Sequence, residues 1–238
     1  MALYKHIPNT ITSMNLLAGV MGVIFTLEGR LELALPLMVL AAVFDFCDGL
    51  AARLLGAYSP IGGELDSLAD LVSFGVLPAL MLYKVQPADA PAILRYLPLF
   101  VAVMSAVRLA KFNVDDRQTL DFIGLPTPSC AMVCGSLASF LYLQGGVPSG
   151  AGPWLVAAVS IILGLLLVSE IPMFGMKIKK GHKLLDTKRI AFLILAVACV
   201  LPVVLLKRHW SLAVLAVFSV YIVENLVAAA INSFRRGA

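Results

Sequence analysis

Residues 45–70 read DFCDGLAARLLGAYSPIGGELDSLAD and hold five acids against one cation, Arg53. The runs on either side are apolar: LELALPLMVLAAVF over 31–44 and LVSFGVLPALMLYK over 71–84. Asp45 and Asp48 are three residues apart and share a helix face; Asp66 and Asp70 are four apart and share another. The turn signal Tyr58-Ser59-Pro60 folds the two segments into a hairpin that brings these faces together. A charged side chain in a bilayer is costly and marks function by default. What the aspartates mean therefore depends on whether the flanking runs cross a membrane.

Composition says that they do. The chain has 238 residues, 61% of them hydrophobic and 13% charged, with a mean hydropathy of +0.95. So few charges cannot clothe a water-soluble protein of this size, and so apolar a chain is not disordered. A helix needs about 20 mostly apolar residues to span the hydrocarbon core. Eight such segments can be drawn, at 9–28, 32–55, 64–84, 91–112, 126–145, 151–174, 189–206 and 210–233. The predicted fold is an all-α polytopic membrane bundle forming one domain over 1–238. The polar entry Pro8-Asn9-Thr10 argues against a cleaved leader at the first segment. Cys47, Cys130, Cys134 and Cys199 lack disulfide or zinc spacing and read as packing residues.

Cations accumulate on the cytoplasmic side of membrane proteins. With a cytoplasmic amino terminus and eight crossings, thirteen Lys and Arg fall inside: Lys5, Arg53, Arg108, Lys111, Arg117, the cluster from Lys177 to Arg189, Arg235 and Arg236. Five, Arg30, Lys84, Arg95, Lys207 and Arg208, fall outside. Both termini are thus expected in the cytoplasm of a cell whose inner membrane holds the protein. The net charge of +4 belongs to this rim and its anionic lipids, and no basic stripe suited to nucleic acid is present. His6, His182 and His209 fall at segment ends and read as interfacial.

Four aspartates converging in low dielectric cannot all remain ionised without cations. Hard divalent ions with oxygen ligands, Mg²⁺ or Mn²⁺, answer that need. Two of them about 3.5–4 Å apart can clamp an in-line displacement at phosphorus. Gly49, Ala52 and Gly62 keep side chains away where a ligand must come close, and Arg53 offers a planar fork for phosphate oxygens. Three other readings remain: a cation path in a transporter, an internal ion network around Arg53, and acids standing in water beyond the membrane.

The full string, Asp-x2-Asp-Gly-x2-Ala-Arg-x8-Gly-x3-Asp-x3-Asp, resembles the signature of the CDP-alcohol phosphotransferases, with no departure from it. The resemblance implies a six-helix core, a homodimer, and two metal ions facing the cytoplasm. It implies Asp45, Asp48 and Asp66 as ligands, Asp70 as ligand and general base, and Gly49, Ala52, Arg53 and Gly62 around the CDP moiety. The stretch from Pro8 to Asn15, Arg108-Leu-Ala-Lys111-Phe-Asn113 and Gly124-Leu-Pro-Thr-Pro128 resemble the branch that joins CDP-diacylglycerol to L-serine in phospholipid synthesis.

The same stretches can be read from their chemistry. Asn9, Thr12 and Asn15 lie three apart on one face of the first helix, either reaching the cytidine and phosphates or capping that helix. Arg108, Lys111 and Asn113 offer donors to an amino-acid carboxylate, or serve as cytoplasmic anchors. Ser169, Glu170 and Lys177 are placed to line the same polar pocket. The expected reaction is one direct displacement, because no Ser, Cys or His is set up as a covalent nucleophile. The rivals are another acceptor, glycerol phosphate or inositol phosphate, and an ion-coupled transporter, which favours acids spread through the membrane and an inverted repeat.

Overall fold

The computed structural model describes residues 6–115, 122–173 and 187–237. Among the described residues the chain forms eight helical rods: α1 Ile7–Leu27, α2 Leu31–Leu55, α3 Pro60–Lys84, α4 Ala92–Val114, α5 Thr127–Leu143, α6 Gly152–Val168, α7 Thr187–Leu205 and α8 Ser211–Gly237. A two-residue strand, β1 (Phe122–Ile123), pairs antiparallel with β2 (Pro172–Met173) and ties the entry of α5 to the exit of α6. The rods match the eight expected segments to within two residues at most ends, with larger shifts at the start of α3, the end of α6 and the end of α8, which runs to Gly237 rather than 233. α3 begins at Pro60 rather than 64, because the Ser59 hydroxyl accepts from Gly62 N at 3.0 Å and a proline fills the first turn. α6 stops at Val168, six residues short of the expected end, where Ser169 turns extended and Pro172 forbids further helix.

α1, α2, α3, α4 and the Ser211–Ile231 part of α8 are long and apolar enough to cross a bilayer. α5 and α6 have 17 residues each, or about 26 Å of helix against a hydrocarbon core of about 30 Å, the short limit of a span. The protein is an integral membrane helical bundle.

Its packing is inverted relative to a soluble protein. α1 buries Pro8, Thr12, Asn15, Gly19, Gly22 and Thr26 and turns Met14, Leu17, Val20, Ile24 and Leu27 outward. Lipid tails are as apolar as leucine, so helices gain most by close backbone approach through small residues. A Cβ on Gly19 would stand 2.9 Å from Ser73 Cα, and one on Gly22 2.6 Å from Leu77 Cδ2; α1 meets α3 there. Larger side chains, Leu35 and Met38 of α2, Phe74 and Leu77 of α3 and Cys134 of α5, belong to one buried cluster, in which Leu35 and Met38 come up against Gly135 of α5. Cys130 and Cys134 are buried as expected, whereas Cys47 and Cys199 are only half-buried, a placement that lipid tolerates.

The bundle's two ends differ in polarity. At one, Lys84 Nζ donates to Leu27 O at 2.9 Å, Arg30 stands 4.0 Å from Glu32, and the Arg95 guanidinium lies over Tyr83. The other end holds the aspartate motif, the carboxyl end of α4 and the α6 exit. Lys5, Arg117, His182 and the cluster from Lys177 to Lys183 lie outside the described residues, and no side-chain placement is described for Lys188, Arg189, Arg235 or Arg236.

Candidate active site

α2 and α3 run antiparallel, joined by the four residues 56–59, and this carries Asp45 and Asp48 to face Asp66. The carboxylates of Asp45, Asp48 and Asp66 each present an oxygen within 4.8 Å of the others. Asp48 is 6% exposed. Asp48 Oδ2 and Asp66 Oδ1 are buried with no hydrogen-bond partner. An orphaned polar atom costs roughly 1–3 kcal/mol, more when charged, and like charges at this separation add to it. Among the described residues no Lys or Arg pairs with the trio, and Arg53 is exposed. That excludes an internal ion network around Arg53. A donor set of bare, converging carboxylate oxygens fits a hard divalent cation.

Asp70 sits one turn further into α3, buried, within electrostatic reach of all three but outside their tight group. Asn15 Nδ2 donates to Asp70 Oδ1 at 3.1 Å, and Ser73 Oγ donates to Asn15 O at 3.1 Å. Directly after Asp70 the helix widens into a π-turn, Leu71–Val76, a device common at functional sites. Asp70 and Ser73 both meet Asn15 of α1 across the seam.

α1 supplies the remaining wall. The Thr12 hydroxyl donates to Pro8 O at 3.0 Å and lies beside the Asp48 carboxylate. Asn9 meets α3 at Gly62, where a Cβ would stand 2.9 Å from Asn9 Oδ1. Asn9, Thr12 and Asn15 therefore share the motif-facing side. Capping does not explain them, since the N-cap is His6, without a side-chain bond. A Cβ on Gly49 would meet nothing within 4 Å, so protein packing does not require that glycine. Ala52 is half-buried beside it.

The three candidate acceptor residues separate. Asn113 Nδ2 donates to Ser67 Oγ at 2.9 Å, and Lys111 Nζ reaches Val168 O at 3.5 Å. Arg108 is 4% exposed, lies over the Phe112 ring at 5.0 Å, and keeps a buried Nε without a partner. A cavity of about 340 Å³ is lined by Arg108, Lys111, Asp115, Ile123, Ser169 and Glu170, among others. Ser169 and Glu170 thus join the pocket as the sequence suggested, Asn113 stays out of it, and Lys177 lies outside the described residues. Sequence reasoning missed Ser67, Ser73 and Asp115. Ser73 alone had a signal, its place on the stripe that continues Asp66 and Asp70.

A family model described as CDP-alcohol phosphatidyltransferase matches residues 5–171. The chain is 38% identical over 188 residues, 74% of its length and 59% of the relative's, to a CDP-diacylglycerol–serine O-phosphatidyltransferase of Mycobacterium leprae. It is 36% identical over 167 residues, 70% of its length and 89% of the relative's, to the protein of that name in Bacillus subtilis. An archaetidylserine synthase of Methanothermobacter thermautotrophicus is 32% identical over 163 residues, 66% of each chain.

Proposed function

The chain belongs to the CDP-alcohol phosphatidyltransferase family, and from that premise we propose that it transfers the phosphatidyl group of CDP-diacylglycerol to the hydroxyl of L-serine, giving phosphatidylserine and CMP. The observation that carries the chemistry is the set of converging, partnerless oxygens on Asp45, Asp48 and Asp66. The acceptor follows from the names of relatives that share about a third of their aligned residues with this chain.

Asp45, Asp48 and Asp66, with Asp70 completing the set, would hold two divalent cations, Mg²⁺ or Mn²⁺. Bound there, the ions supply Lewis-acid stabilisation of charge on the diphosphate. The acyl chains remain in lipid beside the outward face of α1. Asn9, Thr12, Gly49, Ala52, Arg53 and Gly62 surround the CDP moiety, with the Arg53 guanidinium donating to phosphate oxygens. Asn15 fixes Asp70 through Oδ1, and Asp70 Oδ2 takes the proton of the serine hydroxyl. The serine oxygen bonds to the lipid-side phosphorus as the bond to the CMP oxygen breaks. Catalysis of this kind is mostly positioning and electrostatics. Arg108, Lys111 and Asn113 form the acceptor side, Arg108 by direct contact and the other two by holding neighbouring elements.

The motif end faces the cytoplasm of the inner membrane, with both termini on that side, a reading supported by the thirteen-to-five cation bias. A homodimer is the working form by family resemblance. The test is CMP release from CDP-diacylglycerol by purified protein in nanodiscs. Serine should be the productive acceptor over glycerol phosphate and inositol phosphate; chelator should abolish release and Mn²⁺ restore it. Release with a phosphorylated alcohol but not with serine would overturn the acceptor, and chelator-insensitive release would overturn the metal site.

A further inference from the structure

Three side-chain oxygens on α1, α2 and α3 are buried at the motif end without a hydrogen-bond partner: Asp48 Oδ2, Asp66 Oδ1 and Asn15 Oδ1. The third differs in kind from the other two. A carboxylate oxygen can be relieved by taking up a proton. A carboxamide oxygen only accepts and stays unsatisfied until a donor or a cation reaches it. We infer that Asn15 Oδ1 is a further ligand of the metal set, a neutral oxygen from α1 for the cation that Asp70 binds. The inference deepens the phosphatidyl-transfer reading and rests on its metal site.

The setting of the amide follows from its partners. Asn15 Nδ2 donates to Asp70 Oδ1 at 3.1 Å. Turned over, the amide would set its oxygen against a carboxylate oxygen, two acceptors face to face. Amide oxygen and nitrogen share one carbon, so Asn15 Oδ1 lies within about 6 Å of Asp70 Oδ1, and the two residues belong to one site. The backbone is held as well. Ser73 Oγ donates to Asn15 O at 3.1 Å, and a Cβ on Gly19, one turn further along α1, would stand 2.9 Å from Ser73 Cα. A side chain carried on so closely packed a helix is preorganised for ligation.

Depth decides what can reach this oxygen. Thr12 lies beside Asp48; Asn15, nearly a turn further along the same helix, meets Asp70 instead. Asn15 is 0% exposed and Asp70 8%. A side chain closed to water is closed to cytidine and to serine too, whereas a dehydrated metal ion is smaller than any of them.

Charge explains why the residue is an asparagine. The motif already gathers Asp45, Asp48, Asp66 and Asp70, and one more carboxylate in low dielectric would add to their mutual repulsion. A carboxamide oxygen is a hard ligand that brings no charge. The same group steadies Asp70 through its nitrogen, so one side chain serves both the base and the cation beside it.

The experiment loads the full-length protein in nanodiscs with Mn²⁺ after growth on asparagine carrying carbon-13 at its carboxamide carbon. Electron–nuclear double resonance then detects labelled carbon beside the bound ion. The wild type should show the coupling of a carbon one bond from a ligand oxygen. Asn15→Asp keeps an oxygen but carries no label there, so it should bind Mn²⁺ and lose the coupling. Asn9→Asp, which removes the label from the neighbouring asparagine of α1, should keep it. Asn15→Leu, similar in size and without an oxygen, should weaken Mn²⁺ binding by at least about tenfold, the smallest loss usual for a change around a metal. If either Asn15 variant fails to insert, the labelled wild type and Asn9→Asp decide. Bound Mn²⁺ without the coupling in the wild type, its survival in Asn15→Asp, or its loss in Asn9→Asp overturns the ligand role and leaves the aspartate site standing. No Mn²⁺ bound by the wild type overturns the metal site, and the ligand role with it.

Discussion

One seam, between α1 and α3, is built two ways along its length. Toward the Lys84 end it is dry: Gly19 and Gly22 admit Ser73 and Leu77 at backbone range, and Thr26 Oγ1 returns its proton to Gly22 O at 2.8 Å. Toward the motif end the same stripe of α1 presents Thr12 and Asn15 to Asp48 and Asp70. The first half satisfies every requirement of a helix pair in lipid, close contact and no unpaired polar group. The second leaves Asp48 Oδ2, Asp66 Oδ1 and Asn15 Oδ1 buried without partners. That contrast along one helix pair supports reading the motif end as the cation-binding half of the seam.

The sharpest break in that contrast comes from neutralising the open half. Asp66→Asn should lower CMP release by at least about a thousandfold, since a bound metal supplies several kcal/mol of charge stabilisation and each 1.36 kcal/mol is tenfold in rate. Mn²⁺ binding followed by electron paramagnetic resonance should vanish with it, while insertion of the protein persists. Asp70→Asn should cost about 10²- to 10⁴-fold in kcat, the usual worth of a general base, with Mn²⁺ binding largely kept. Normal Mn²⁺ binding by Asp66→Asn would remove the trio as the metal-holding set.

The dry half is tested by Gly19→Ala. Ala favours helix over Gly by about 0.5–1 kcal/mol, but the new methyl meets Ser73 Oγ and lies 2.9 Å from Ser73 Cα. Overpacking costs about 1–3 kcal/mol, so the net sign is destabilising. The thermal midpoint in detergent should fall. Well below that midpoint metal-dependent activity should fall by no more than about threefold, the loss expected if the displaced Ser73 Oγ releases Asn15 O. An unchanged midpoint would mean that the helices do not approach as closely as Gly19 implies.

Much of the open half was legible in sequence, and much of the dry half was not. Spacing put Asp45 with Asp48 and Asp66 with Asp70, and the loop at 56–59 is short enough to force the two pairs together. Asn9, Thr12 and Asn15 were visible as one face but not as partners, because helix capping explained them equally well until the cap proved to be His6. The seam's glycines stayed hidden for a physical reason: in lipid the large apolar residues that usually announce a core point outward. The π-turn after Asp70 carries no composition of its own. The commitments of Lys111 and Asn113 were out of reach as well, since their partners, Val168 and Ser67, lie 57 and 46 residues away in the chain. Local pattern showed which side chains gather at the motif end, and tertiary contact decided which of them were already occupied.

Ser73 is where the two halves join, and removing its hydroxyl gives the smallest effect and the finest test. Its Oγ crowds Gly19 on one side and donates to Asn15 O on the other, and Asn15 in turn holds Asp70. Hydrogen bonds between membrane helices average about 0.6 kcal/mol, so Ser73→Ala should lower stability by about that amount. If the bond also steadies Asn15 against Asp70, kcat should drop about threefold at unchanged KM, the kinetic equivalent of the same energy. A purely structural hydroxyl would move the midpoint and leave kcat alone. Combining Ser73→Ala with Gly19→Ala separates the roles further. Deleting Oγ removes the nearest atom to the new methyl, so the double variant should be more stable than the sum of the single losses predicts. The recovery must be partial, because Ser73 Cα, fixed in the backbone, still stands 2.9 Å from that methyl. Strict additivity would show that the two residues do not meet, and the seam would then be two separate contacts rather than one.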